Sequence, residues 1–382
     1  MPRHPDRGGG SRIIAAMIPI SLPSTEFFVF LFVSQLAGLA LLGWLAVLAA
    51  SRRARQRFGR RPWLHGGALL ALAAMSAFYI FIRYVFWTVD REYDRLEAAR
   101  RVTLEQPQTL GGVAMPAGAR LVLEREGQPE RYTEATFDAP VPAFGMRATR
   151  IVRYLRTEYD RETYEELGAH PHTLYLWGAG VQDVAGWRCD TTEKVEFRVE
   201  KKGARPEFES CTLGAGNRAG EIALPAGAEV RARKGDTYTN GHVEPLNWYV
   251  SVDSPEPLAV SGMLLGRPGL RLDDAHRLLG VASAALACPL RLGPYRYPAG
   301  TRVQSTAYPL NRRLPDAWVL SPDHGMTVQR DDGEALSEGM SVVQRGDGEV
   351  LATLPNAEAG VMLFATIEVE GAPSRASVRC PS

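Results

Sequence analysis

Phe27 to Ala50 is a run of 24 residues without a charge, and a second block of equal length, Gly66 to Val89, is broken only by Arg83. At about 1.5 Å rise per residue, each block makes roughly 36 Å of helix, enough to cross a hydrocarbon layer about 30 Å thick with some tilt. The apolar stretch of a cleaved signal peptide runs to only about 7–15 residues, and after Ala50 the chain enters a run of arginines rather than a small-residue cleavage site. Two membrane helices are expected, so the lipid bilayer is the first partner the chain implies. Arg83 lies seven residues before Asp90, where a long aliphatic stem lets its charge reach the interface. Ser34, Gln35 and Gly38 on the first block, and Gly66, Gly67 and Ser76 on the second, are the small and polar residues expected at a close helix contact.

The arginines orient this hairpin. Residues 51–65, between the blocks, carry Arg52, Arg53, Arg55, Arg57, Arg60 and Arg61 and no acid. Short loops rich in Lys and Arg stay in the cytoplasm, so everything after Val89 is expected outside, as in a two-pass protein of a bacterial inner membrane with a periplasmic C-terminal domain. Arg3, Arg7 and Arg12 argue mildly the other way. Residues 1–26 read as a disordered tail, and Met17 is an alternative start that would remove all three.

The formal net charge of +1 is a cancellation. Residues 1–89 hold ten arginines against two acids, and the remainder holds 41 acids against 34 basic residues. The second part has the surface charge of a soluble domain and no basic excess for nucleic acid. It also holds all four cysteines, Cys189, Cys211, Cys288 and Cys380, none in a C-x-x-C motif. An even count in an exported domain reads as disulfides. Of three possible pairings, Cys189–Cys211 with Cys288–Cys380 is favoured. A zinc site from His170, His172, Cys189 and Cys211 lacks a metal-ligand spacing.

Asp90 to Arg101 reads as a charged helical stalk with Glu97 and Arg101 as an i,i+4 pair. Arg150 to Leu167 reads as a second helix stopped by Gly168, its acids Asp160, Glu162, Glu165 and Glu166 forming a solvated face. Asp273 to Ala287 reads as a short buried helix or a strand, with the helix, capped by Asp273, favoured. Alternating strands are expected at Arg120–Glu124, Lys194–Glu200, Glu229–Arg233 and Thr301–Gln304, with further strands at Leu351–Leu354 and Val361–Val369.

Pro-Ala-Gly followed by Ala or Thr recurs at Pro116, Pro225 and Pro298, each time entering one of these strands. Pro107 and Leu110 precede the first copy at the same spacing at which Pro289 and Leu292 precede the third. Asp138-Ala-Pro-Val-Pro to Gly145 and Asp253-Ser-Pro-Glu-Pro to Gly262 follow the first two copies. Pro presets φ and Gly supplies a positive φ, so each copy reads as a turn launching a strand. The expected fold class is a membrane α-helical hairpin plus a mainly β exported domain, a β-sandwich or tandem β subdomains built from this module. The expected divisions are 1–26, 27–89, 90–168, 169–266 and 267–382, with a boundary near Arg267.

Little here points to catalysis. The sequence has no P-loop, G-x-S-x-G or H-E-x-x-H motif, and Gly178-Ala-Gly180 and Gly214-Ala-Gly216 read as turns rather than phosphate loops. No cofactor or metal is implied. Asp183, Asp323 and His324 lie near turns and are assigned no role. Trp177, Trp187, Trp248 and Trp318 read as core residues, with one or two available to a recognition patch. The expectation is a membrane-anchored display domain for protein–protein interaction, in envelope assembly or immunity-type protection. The alternative is a periplasmic hydrolase acting on envelope material. A sensor is disfavoured, because the only cytoplasmic segment is a 15-residue loop.

Overall fold

The computed structural model describes residues 25–362 and Cys380. The tail, the alternative start at Met17 and all but the first two residues of the strand expected at Val361–Val369 lie outside the described residues. The chain divides into two compact units that part after Ala98.

The first unit is helical: α1 (Thr25–Ala50), α2 (Arg52–Arg60) and α3 (Pro62–Arg100). With mean hydropathies of 2.1 and 1.9 in their most apolar windows, α1 and α3 are long and apolar enough to cross a membrane. Ser34, Ala37 and Ser76 are the buried residues of these helices. A Cβ on Gly38 would sit 3.5 Å from that of Ser76, and the Phe30 and Phe78 rings meet at 4.8 Å. The expected contact therefore forms in part. Gln35 instead faces outward, and Gly66 and Gly67 have nothing within 4 Å of a notional Cβ. The arginine loop is itself helical, its start capped by Ser51, whose hydroxyl accepts from the Ala54 amide at 3.3 Å. The expected stalk continues α3 to Arg100 without a break.

The second unit is built on a sixteen-stranded antiparallel sheet. Fifteen strands follow one another across it in chain order: β1 (Arg101–Thr103), β2 (Arg120–Leu123), β3 (Tyr132–Ala143), β4 (Met146–Tyr159), β5 (Glu166–Gly178), β6 (Val195–Arg198), β7 (Glu207–Thr212), β8 (Glu229–Ala232), β9 (Trp248–Ser251), β10 (Met263–Leu272), β11 (Leu278–Leu286), β12 (Arg302–Ser305), β13 (Ala317–Ser321), β14 (Met340–Arg345) and β15 (Val350–Pro355). Short hairpins interrupt the series, at Gln108–Met115, Val181–Asp190 and Arg218–Ala223, and a four-stranded sheet forms from segments between Leu290 and Ser337. Their apolar residues, Leu110, Val113, Met115, Val184, Trp187, Tyr297 and Val328 among them, share one buried core with Leu121, Ile151, Leu176, Val230 and Val342 of the large sheet. Period-two alternation explains this: one face of each strand meets the hairpins and the other faces away.

The three Pro-Ala-Gly turns are built alike. Gly118, Gly227 and Gly300 have φ of 85°, 87° and 91°. Their amides donate to the carbonyls of Leu104, Leu213 and Leu286 at 2.8, 2.8 and 2.7 Å, and those leucines' amides donate back to Ala119, Ala228 and Thr301.

Two helix assignments are corrected. Arg150 to Leu167 lies mostly in β4 and the start of β5, and Asp273 to Ala287 is a tight turn followed by β11. Asp273 accepts from the amides of Ala275 and Arg277 at 3.0 and 2.8 Å, so it closes a turn rather than capping a helix. Cross-strand pairing outweighs the helix propensity of these Arg-, Glu- and Ala-rich stretches. The divisions expected at Gly168 and Arg267 fall inside β5 and β10.

A smaller second core lies on the opposite face of β13 and β14. Ala317 and Val319 alternate with Leu320 and Trp318, and with Val343 they meet Leu310, Ala359 and Val361. Cys189 is bonded to Cys211 and Cys288 to Cys380.

Candidate functional site

The strongest candidate is the outward face of β4 and β5. Ile151 and Arg153 point to the core, so Arg150, Val152 and Tyr154 point away from it. Leu174 and Leu176 do the same for Thr173, Tyr175 and Trp177. Register sets these side chains opposite one another: Arg150 with Trp177, Val152 with Tyr175, Tyr154 with Thr173. The Arg150 guanidinium lies 4.8 Å from the centre of the Trp177 ring and is fixed from behind by Glu134, whose Oε1 accepts from its Nε at 2.8 Å. Lys194 stands 5.1 Å from the Tyr175 ring. Tyr154 and Tyr175 meet edge to face at 5.3 Å, and Tyr175 and Trp177 at 6.3 Å. Aromatic rings alternate with cations in a strip on a flat sheet face, a surface of the kind enriched at protein interfaces.

The strip continues beyond the sheet. β3 pairs with β4 only as far as Val152, and β6 pairs with β5 only as far as Thr173. From Leu155–Pro171 out to Tyr159–Glu166, among the described residues, the two strands pair with each other alone. This two-stranded ribbon leaves Tyr154 51%, Tyr159 58%, Leu167 60% and Tyr164 80% exposed. Its tip is closed by Asp160, which accepts from the amides of Glu162 and Thr163 at 2.9 and 2.8 Å; the Thr163 amide, with that of Glu162, holds the Asp160 carboxyl below the usual carboxylate range. Its outer end is tied back by Glu166, which pairs with Arg131 and Arg125. The hydrogen bond from Arg131 is the main reason the Glu166 carboxyl is held low. Across the ribbon Lys202 pairs with Glu158 at 3.3 Å. Asp160 and Glu166 are thus structural, not members of a solvated helix face.

The tryptophans divide. Trp187 is buried, stacked on His276 at 3.9 Å, and Trp248 and Trp318 pack against the same core. Trp177 alone of the four belongs to the outward strip. Asp183, Asp323 and His324 do not assemble. Asp323 pairs with Arg302 at 3.1 Å, His324 with Glu338 at 2.8 Å, and Asp183 makes no hydrogen bond or ion pair with either. The sulfurs of Cys189 and Cys211 are consumed by their mutual bond, so neither is a thiolate ligand beside His170 or His172. Among the described residues no cluster of three His, Cys, Asp or Glu could hold a metal ion.

Sequence reasoning missed the strip because it assigned Arg150, Val152 and Tyr154 to a helix, although it counted Trp177 among the tryptophans that could serve a recognition patch. The signal was present: Ile151, Arg153, Leu174 and Leu176 alternate with Arg150, Val152, Tyr154, Tyr175 and Trp177 at period two. No family model, curated protein or solved structure matches the chain.

Proposed function

We propose that the protein is a two-pass inner-membrane protein that displays its β-rich domain in the periplasm and binds a protein partner there, in envelope assembly or immunity-type protection. The Arg52–Arg61 cluster, facing the cytoplasm, sets the orientation. The domain is read as a duplicated module, each copy a short hairpin, a Pro-Ala-Gly turn and a strand.

The observation that carries the reading is the Arg150–Trp177–Tyr175–Tyr154 strip and its continuation into a ribbon with unpaired edges. Aromatic and arginine side chains at a sheet surface supply large contact area at low entropic cost, and an unpaired strand edge accepts a further strand. The disulfides fit an oxidising compartment.

A photo-crosslinking amino acid at Tyr154 in living cells tests the proposal, with the same residue at Glu334 as the control site. The expected result is a discrete adduct at Tyr154 alone that disappears when Arg150→Glu is added. Adducts of equal pattern at both sites, or none at Tyr154, would remove the strip as an interface. Thiol labelling of a Ser382→Cys chain from the cytoplasmic side would overturn the orientation.

A further inference from the structure

The helical unit carries one feature the display role leaves unused. Gln35 is the only carboxamide in either apolar block. It sits about 5 Å along the axis from the midpoint of the Phe27–Ala50 run at 1.5 Å per residue. Placed in a bilayer by the membrane reading on which this inference rests, its two N–H donors and its acceptor oxygen lie near the hydrocarbon centre. There, water cannot satisfy them.

The α1–α3 contact does not satisfy them either. Ser34 and Ser76 donate to their own helices, to the carbonyls of Phe30 and Ala73. Gln35 lies outside that contact, exposed, and has no hydrogen-bond partner among the described residues. Phe28, Phe32, Leu39, Leu42 and Ala46 share its side of α1 at alternating spacings of four and three, and all are exposed. That spacing is the seam of a left-handed helix pair with one polar residue near its middle. The seam lies about 120° around the helix from the residues that meet α3, counting 100° per residue.

We propose that two copies of this chain associate in the membrane through this seam of α1, with the two Gln35 carboxamides hydrogen-bonded to each other. A second copy is the occupant because a carboxamide is complementary to itself: the N–H of each donates to the carbonyl oxygen of the other. A twofold interface places identical residues opposite one another. An apolar partner helix would leave the amide unpaired, and lipid would too.

The test uses the full chain in native membranes. Leu42→Cys, on the seam, and Val29→Cys, about 100° away, are each oxidised with copper phenanthroline. Covalent dimer is expected at Leu42→Cys and not at Val29→Cys. Gln35→Leu added to Leu42→Cys should reduce the dimer roughly three- to tenfold at fixed protein density, the range measured for interhelical hydrogen bonds. Gln35→Asn should keep most of it. Equal crosslinking at both sites, or unchanged crosslinking in Gln35→Leu, overturns the proposal while leaving the membrane reading intact. Extraction of the chain by alkaline carbonate overturns both.

Discussion

Gln344 is the bolt between the large sheet and the small sheet above it. It is buried on β14, and its carboxamide reaches three partners: the Tyr297 hydroxyl donates to its Oε1, and its Nε2 donates to the carbonyls of Leu292 and Gly348, each at 3.2 Å. Tyr297 is buried too, and desolvation pushes its hydroxyl well above the ordinary tyrosine pKa, so it stays a donor at any working pH. A buried polar atom left without its partner costs about 1–3 kcal/mol. Tyr297→Phe orphans one atom, the Gln344 oxygen, and should destabilise by about 1–2 kcal/mol. Gln344→Leu keeps the volume but orphans the hydroxyl and two carbonyls, so about 3–4 kcal/mol is expected. In the double variant the hydroxyl is gone as well, only the carbonyls remain orphaned, and the loss should be about 2–3 kcal/mol. The double variant is thus more stable than Gln344→Leu alone, with a coupling of about 2–3 kcal/mol. Urea unfolding of the purified protein, followed by intrinsic fluorescence and near-ultraviolet circular dichroism, measures all four corners. Additive losses within about 0.5 kcal/mol would refute the bond and the role given to Gln344.

Three further outcomes follow from the same structure. Gly293 has φ of +55°, and a Cβ there would lie 2.1 Å from the Gly348 carbonyl oxygen. Gly293→Ala should therefore lower stability by about 2 kcal/mol or more, read as a fall in Tm. Replacing Cys189 and Cys211, bonded across 22 residues, should cost about 3.4 kcal/mol through the denatured chain. Replacing Cys288 and Cys380, bonded across 92, should cost about 4.6 kcal/mol; denaturation under non-reducing conditions compares the two pairs. The Arg277 amide, aided by its guanidinium at 2.7 Å, holds the Asp273 carboxyl below its ordinary value. A depressed carboxylate stabilises the fold above its unfolded pKa of about 3.9 and loses that contribution as pH falls through its folded value. The stability gap between wild type and Asp273→Asn should therefore be constant near neutrality and shrink below about pH 4. A gap independent of pH would show that the carboxylate charge contributes nothing.

Much of the architecture was legible where a single physical rule governs a whole segment. The two apolar blocks, the second broken only by Arg83, become α1 and α3, helices long and apolar enough to cross a membrane. Strands such as Lys194–Glu200 emerged because Val195, Phe197 and Val199 alternate with charged residues and one face is buried. The Pro-Ala-Gly turns were readable because only Gly accepts their φ without strain. The cysteine pairs formed as favoured, Cys189 to Cys211 and Cys288 to Cys380. Legibility failed where local preference opposed the sheet. Arg150 to Leu167 is rich in good helix formers, yet β4 and β5 are pinned by Ile151, Leu174 and Leu176 in the core, contacts made across the chain that no window of sequence contains. Gln35 was misplaced because helical spacing alone cannot say which side of α1 meets α3.

The edges of the large sheet give the strip its weight. Because fifteen strands follow chain order, nearly every pairing closes a short loop, and among the described residues two strands end the series. Both ends are managed. β1 is three residues long, and β15 finishes at Pro355, which has no amide to offer. Residues 356–362 fold onto the outer face of the last strands, where Gln304 and Arg302 donate to the carbonyls of Gly360 and Met362 at 3.2 Å. The ribbon of β4 and β5 is managed differently. Its edges are unpaired, yet Arg156 and Glu158 alternate with Leu155, Thr157 and Tyr159 along it. Charges on an exposed edge oppose indiscriminate strand pairing while leaving the edge available to a partner of matching charge. Among the described residues the ribbon edge is open and guarded by charge beside the aromatic strip, the arrangement on which the proposed partner binding rests.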